Sequence, residues 1–126
     1  MSAAEWPAAH SKYRNTPVVI LDVRFASQGE ASRWHELQLL ERSFYVKELQ
    51  RQVPYRLLTL ANTGKPGLVG LYVADFTYFE AVHPRVGPWT FIVEDFKGHQ
   101  TELFRWKRRH FELQYGIPIR ITRRGH

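Results

Sequence analysis

The 126-residue chain contains no cysteine. That absence removes a disulfide framework, a thiolate zinc site and a cysteine nucleophile together. Long hydrophobic runs are also missing. The longest, Leu68 to Ala74, is broken by Gly70 and falls far short of the ~20 residues that a membrane span needs. No segment combines a charged start, an apolar middle and a small-residue end as a signal peptide does. There is no Gly-Lys-Ser/Thr phosphate loop, so intrinsic ATP use is not expected. His35-Glu36 does not begin a metalloprotease helix, because Leu39 stands where the second histidine would be. These absences lead to the expectation of a cytoplasmic protein without a membrane partner.

What is present is ordinary globular composition with an uneven charge. Hydrophobic residues make up 44% and charged residues 24%, which is enough apolar material for one core in a single domain. The formal net charge is +6, and arginine outnumbers lysine 13 to 5. Residues 1–100 carry 11 basic and 10 acidic side chains, whereas residues 101–126 carry 7 basic and 2 acidic. A basic C-terminal part rich in guanidinium forks suits a polyanion, and nucleic acid is the expected partner.

The chain reads as one domain over 1–126. Residues 1–16 lack periodicity and read as a loose arm. Pro17 to Phe25 is rich in β-branched residues and reads as a short strand pair or hairpin. Ser27-Gln28-Gly29-Glu30 is a capping-box pattern, and Trp34, Leu37, Leu40 and Phe44 follow at three- and four-residue steps, which predicts a helix over 28–42. Strands are predicted over 53–61, 68–80 and 89–96, separated by the turn clusters around Gly64 and Pro84. A second helix over about 101–115 ends at Gly116, and 117–122 reads as a last strand. The expected fold class is therefore α/β, with an αβββαβ core and a mixed central sheet flanked by helices. Trp34, Trp89 and Trp106 are expected in the core. His10, His83 and His126 are given no role.

The chemistry gathers in the middle strands. Asp95 and Lys97 share one face of their strand, and Glu94 and Phe96 share the other. Asp75 is an ionisable group in an apolar strand, and the turn between the two strands brings Asp75 to Asp95. Two adjacent carboxylates repel, and a hard divalent cation relieves that repulsion. Glu30 lies on the sheet-facing stripe of the first helix with Trp34 and Leu37, and so offers a third carboxylate. The plain alternative is structural: a capping-box role for Glu30 and an Asp95–Lys97 salt bridge. On the second helix, Phe104, Lys107, Phe111 and Tyr115 form one stripe. Lys107 would then reach the edge of the site or snorkel past it, while Arg105, Arg108 and Arg109 point outward and could grip phosphates. His99 follows Lys97 in a loop and could touch substrate.

Asp75, then about twenty residues to Asp95-Phe96-Lys97, preceded by a helical glutamate, resembles the PD-(D/E)XK nuclease superfamily. Ala74 stands where that name implies proline. A closer resemblance is to the phage-encoded domain of unknown function family 1064. It is carried by Lys12-Tyr13-Arg14-Asn15, Phe25 to Ala31, Leu49 to Gln52, Tyr72 to Tyr78, Val93 to Gly98, Thr101 and Lys107. The resemblance implies a restriction-endonuclease-like fold and a Mg²⁺-dependent endodeoxyribonuclease, with Mn²⁺ as substitute. Nucleases of phage recombination and of branched or Holliday-junction DNA would be its nearest functional relatives. It implies Glu30, Asp75 and Asp95 as metal ligands and Lys97 as the residue that orients water and steadies charge at the phosphate, with Gln52 lining the site. Symmetric cutting of two strands would suit a homodimer. The rival expectation is a non-catalytic DNA-binding or assembly protein on the same scaffold.

Overall fold

The computed structural model describes residues 18–20 and 23–123. The predicted arm over 1–16 lies outside them, as do His10 and His126. The order of elements is β1 (Val18–Ile20), β2 (Val23–Phe25), α1 (Gln28–Arg42), β3 (Val46–Leu60), β4 (Pro66–His83), β5 (Gly87–Phe96), α2 (Glu102–Tyr115) and β6 (Ile119–Thr122). β1 and β2 form an antiparallel pair. The main sheet has the order β3-β4-β5-β6. Its first three strands are antiparallel, and β6 joins β5 in parallel through the α2 crossover. This is the expected αβββαβ core with a mixed sheet and two flanking helices.

α1 starts where its capping residue predicts. The Ser27 hydroxyl accepts a hydrogen bond from the Glu30 backbone N–H at 3.2 Å. The Glu30 carboxylate reaches back to the Ala26 backbone N–H and also meets Gln52 and Arg51 of β3. Of the helical stripe, Trp34 and Leu37 enter the core, whereas Leu40 and Phe44 are exposed at 37% and 47%. Phe44 lies beyond the helix end with a left-handed φ of 66°. α2 is capped by Thr101, whose hydroxyl accepts from Phe104 N–H, and it ends on Gly116. Gly116 takes φ 70°, the left-handed cap position that glycine occupies without strain.

Two cores lie on opposite faces of the sheet. Phe104 and Phe111 of α2 pack with Leu57, Tyr72, Ala74, Val93 and Ile119. Leu37 of α1 packs with Val46, Phe76 and Tyr78, and the Trp34 ring stacks on Phe76. β5 shows the division directly, since its neighbours Ile92 and Val93 belong to the α1 and α2 cores respectively.

β3 begins earlier than its composition suggests. The polar stretch from Val46 to Gln52 is not an obvious strand, yet it extends the ladder with β4. The register slips between Lys47 and Gln50, and Glu48 and Gln52 both take left-handed φ values, 54° and 52°. Such residues are features of bulged, strongly twisted strands.

Candidate active site

The twist decides where the acidic groups meet. Strict alternation would place Ala74 and Phe76 on the same face. Instead Ala74 packs against α2 and Phe76 against the α1 core, so the strand changes faces at Asp75. Across the ladder, Arg51 pairs with Phe76 and Val53 with Ala74, and left-handed Gln52 lies between them. Asp75 and Gln52 therefore share one crossover point. The paired register of β4 and β5 begins at Phe76 and Glu94, so the strands part where Asp75 and Asp95 follow.

Side chains take over the bonds that the backbone leaves there. Asp75 Oδ2 accepts from Phe96 N–H at 2.9 Å, and the Asp95 carboxylate accepts from the Asp75 backbone N–H. The Gln52 amide donates to Asp75 Oδ1 at 3.2 Å and to Glu30 Oε1 at 3.1 Å. One NH₂ group thus bridges a carboxylate from α1 and one from β4. Arg51 Nη2 lies 3.7 Å from Glu30 Oε1, with its guanidinium against the Phe25 ring. Asp95 accepts from the Tyr72 hydroxyl, and Lys97 Nζ lies 3.7 Å from Asp95 Oδ1. Lys97 also rests over the Phe104 ring, 4.4 Å from its centroid, which ties β5 to α2.

All three carboxyls are pushed toward their neutral forms. Burial raises Glu30 to about 8, helped by the nearby Asp75 charge and opposed by Arg51. Burial raises Asp95 to about 7 against the pull of Lys97. Asp75 is raised by burial, while Lys97, the Phe96 N–H and Gln52 favour its charged form. Burial is the leading cause for all three, because a low-dielectric surrounding disfavours the charged form. They offer oxygen donors, the type a hard divalent cation takes. Among the described residues, no three such groups close into a ready coordination set. The match to a cation is in donor type alone, and Gln52, Tyr72, Lys97 and the Phe96 N–H engage these oxygens.

The sequence placed Glu30, Asp75, Asp95, Lys97 and Gln52 together, and the structure gathers all five. His99 is exposed in the loop after β5. Arg105 and Arg109 are exposed on α2, as expected. Arg108 is not a free outward arginine; it is half-buried and pairs with Glu112 at 3.4 Å. Lys107 is half-buried, and burial together with the charge of Lys97 lowers its pKa. Trp106 overturns the core expectation: it is 69% exposed.

A network beside the site escaped sequence reasoning. Glu94 is fully buried and takes two bonds from Arg33 of α1, at 2.7 and 2.9 Å, plus one from Thr122 at 3.1 Å. The Tyr78 hydroxyl also donates to Glu94, and Arg120 bonds both Tyr78 and Glu80. Arg33 lies one turn after Glu30, and Glu94 is next to Asp95. The pair therefore clamps the helix that carries one acid to the strand that carries another. The available signal was strand alternation, which turned Glu94 away from Asp95 toward α1 and thus called for a cationic partner there.

The model of a family described as a protein of unknown function, DUF1064, matches residues 10–122. The chain belongs to this family. No curated protein and no solved structure matches it. The matched span contains Glu30, Gln52, Asp75, Asp95 and Lys97.

Proposed function

We propose that this DUF1064 protein is a metal-dependent endodeoxyribonuclease of the PD-(D/E)XK type, with Mg²⁺ as its metal. The observation that supports this most is the meeting of Glu30, Asp75 and Asp95, from three separate elements, beside Lys97 where β4 and β5 part. Glu30, Asp75 and Asp95 would hold the cation. When bound, it would lower the pKa of a water and neutralise charge developing on the phosphate. Lys97 has a flexible stem braced by Phe104, and its ammonium can leave Asp95 to donate to a non-bridging phosphate oxygen. Arg105, Arg109 and Lys107 would hold the DNA backbone without reading sequence. Phage recombination and branched-DNA processing are the pathways this reading suits.

Incubation of the protein with Mg²⁺ and labelled duplex, flap and four-way-junction DNA tests it. Cleavage is expected from the natural chain and not from Asp75→Asn or Asp95→Asn. Equal cutting by those variants would remove the assignment.

One observation favours a second reading, a DNA-binding or assembly protein without catalysis. Asp75 and Asp95 each have both oxygens engaged by protein groups, as a purely structural staple would. That reading predicts salt-dependent binding and no cleavage with Mg²⁺ or Mn²⁺.

A further inference from the structure

We propose that Trp106 is a stacking platform for an unpaired nucleobase, so that DNA with unpaired bases beside a duplex is the ligand class of the α2 face. This rests on the DNA-binding part of the reading above and deepens it. The inward side of α2 is set by Phe104 and Phe111. At 3.6 residues per turn, Trp106 then points almost directly outward. Its indole is 69% exposed, and Leu103 beside it is 57% exposed. Arg105 and Arg109 lie on the same outward side, both exposed and, among the described residues, in no ion pair. An aromatic face set among cations is the pairing that takes a base and its flanking phosphates together.

The acids lie across the helix from this face, at a distance that a DNA strand passing around α2 can span. Phe104, two residues before Trp106, carries Lys97 on its ring, and Lys107, one residue after it, feels the Lys97 charge. Trp106 is thus about one helix diameter plus the 4.4 Å from the Phe104 ring, ~15 Å in all, from Lys97, which corresponds to roughly four base steps of 3.4 Å. Glu102 is the carboxylate nearest along this face, and it sits in the first turn, where it balances the helix dipole. A second copy of the chain could instead cover Leu103, Trp106 and Leu113. Face-to-face packing of two copies would bring Arg105 and Arg109 against their own kind, whereas a polyanion takes both, so nucleic acid is the favoured occupant.

The test is binding without cleavage. The full chain in EDTA is titrated with a blunt duplex and with the same duplex bearing a single-stranded flap, followed by tryptophan fluorescence and by anisotropy of labelled DNA. The flap should quench a component of the emission that Trp106→Phe removes. Trp106→Ala should weaken flap binding about 5- to 150-fold, the range for loss of one stacked base, and leave duplex binding within about twofold. Trp106→Phe should recover most of the flap affinity. Circular dichroism melting confirms that the variants fold. Equal loss for flap and duplex, or no loss for either, overturns the proposal. So does a natural chain that sediments as a dimer while Trp106→Ala sediments as a monomer with unchanged flap affinity. A chain that binds flaps through Trp106 but never cuts any DNA with Mg²⁺ would keep this inference and sink the nuclease reading.

Discussion

Arg33→Met would leave the Glu94 carboxylate buried beneath α1 without its guanidinium. Glu94 has no exposure and receives both Arg33 bonds at 2.9 Å or less, so water does not replace what is lost. Breaking a buried pair by removing one partner costs about 3–5 kcal/mol. Tyr78 and Thr122 still donate to Glu94, which places the expected cost near the lower bound, about 3 kcal/mol. For a chain of this size that corresponds to a fall of roughly 10–15 °C in melting temperature. Arg33→Met combined with Glu94→Leu removes the stranded charge together with its partner and should regain most of the loss. The four proteins of this cycle, compared by urea unfolding, give the coupling energy directly. A cost below about 1 kcal/mol for Arg33→Met, or a double variant worse than both singles, would show that Glu94 is solvated and that the clamp between α1 and β5 is not a real constraint.

Two further outcomes follow from the same geometry. Asp95 and Glu30 have folded pKa values of about 7 and about 8, above the unfolded values of ~3.9 and ~4.3. Between these limits the folded state keeps protons that the unfolded chain has released, so stability of the metal-free protein should decline as pH rises from about 4 to about 8. Urea unfolding in EDTA at about pH 5 and about pH 8.5 checks the sign, and a rise would refute it. Added Mg²⁺ should raise the melting temperature most at the higher pH, where the carboxylates are free of protons. Gly29→Ala should destabilise the fold by about 1–3 kcal/mol in a thermal melt, because the new methyl would come within 2.3 Å of the Phe96 ring on which α1 sits. A neutral result would mean that the Phe96 ring can move aside.

The bounds of α1 were legible in the sequence because its signals are local: a serine cap and apolar residues at helical spacing. The pairing of β4 with β5 followed from a short turn, and with it came the approach of Asp75 to Asp95. The start of β3 at Val46 was not legible. Its polar residues have little strand character of their own, and the ladder with β4 supplies the order. Trp106 was placed wrongly for a related reason. A tryptophan is usually buried for its area, but Phe104 and Phe111 had already claimed the inward side of α2 and left Trp106 the opposite one.

The sequence alone determined the order of elements, the basic α2 and the identity of the acids and lysine that gather, because each depends on residue type and short-range spacing. Only the tertiary structure decided how those acids are held. The change of face at Asp75, the Gln52 bridge to Glu30 and the Arg33 clamp on Glu94 join groups 22, 23 and 61 residues apart. Such contacts arise when a twisted sheet and a packed helix bring distant segments into one buried volume. There every polar group must find a partner, and which partner it finds is set by three-dimensional proximity and not by position along the chain.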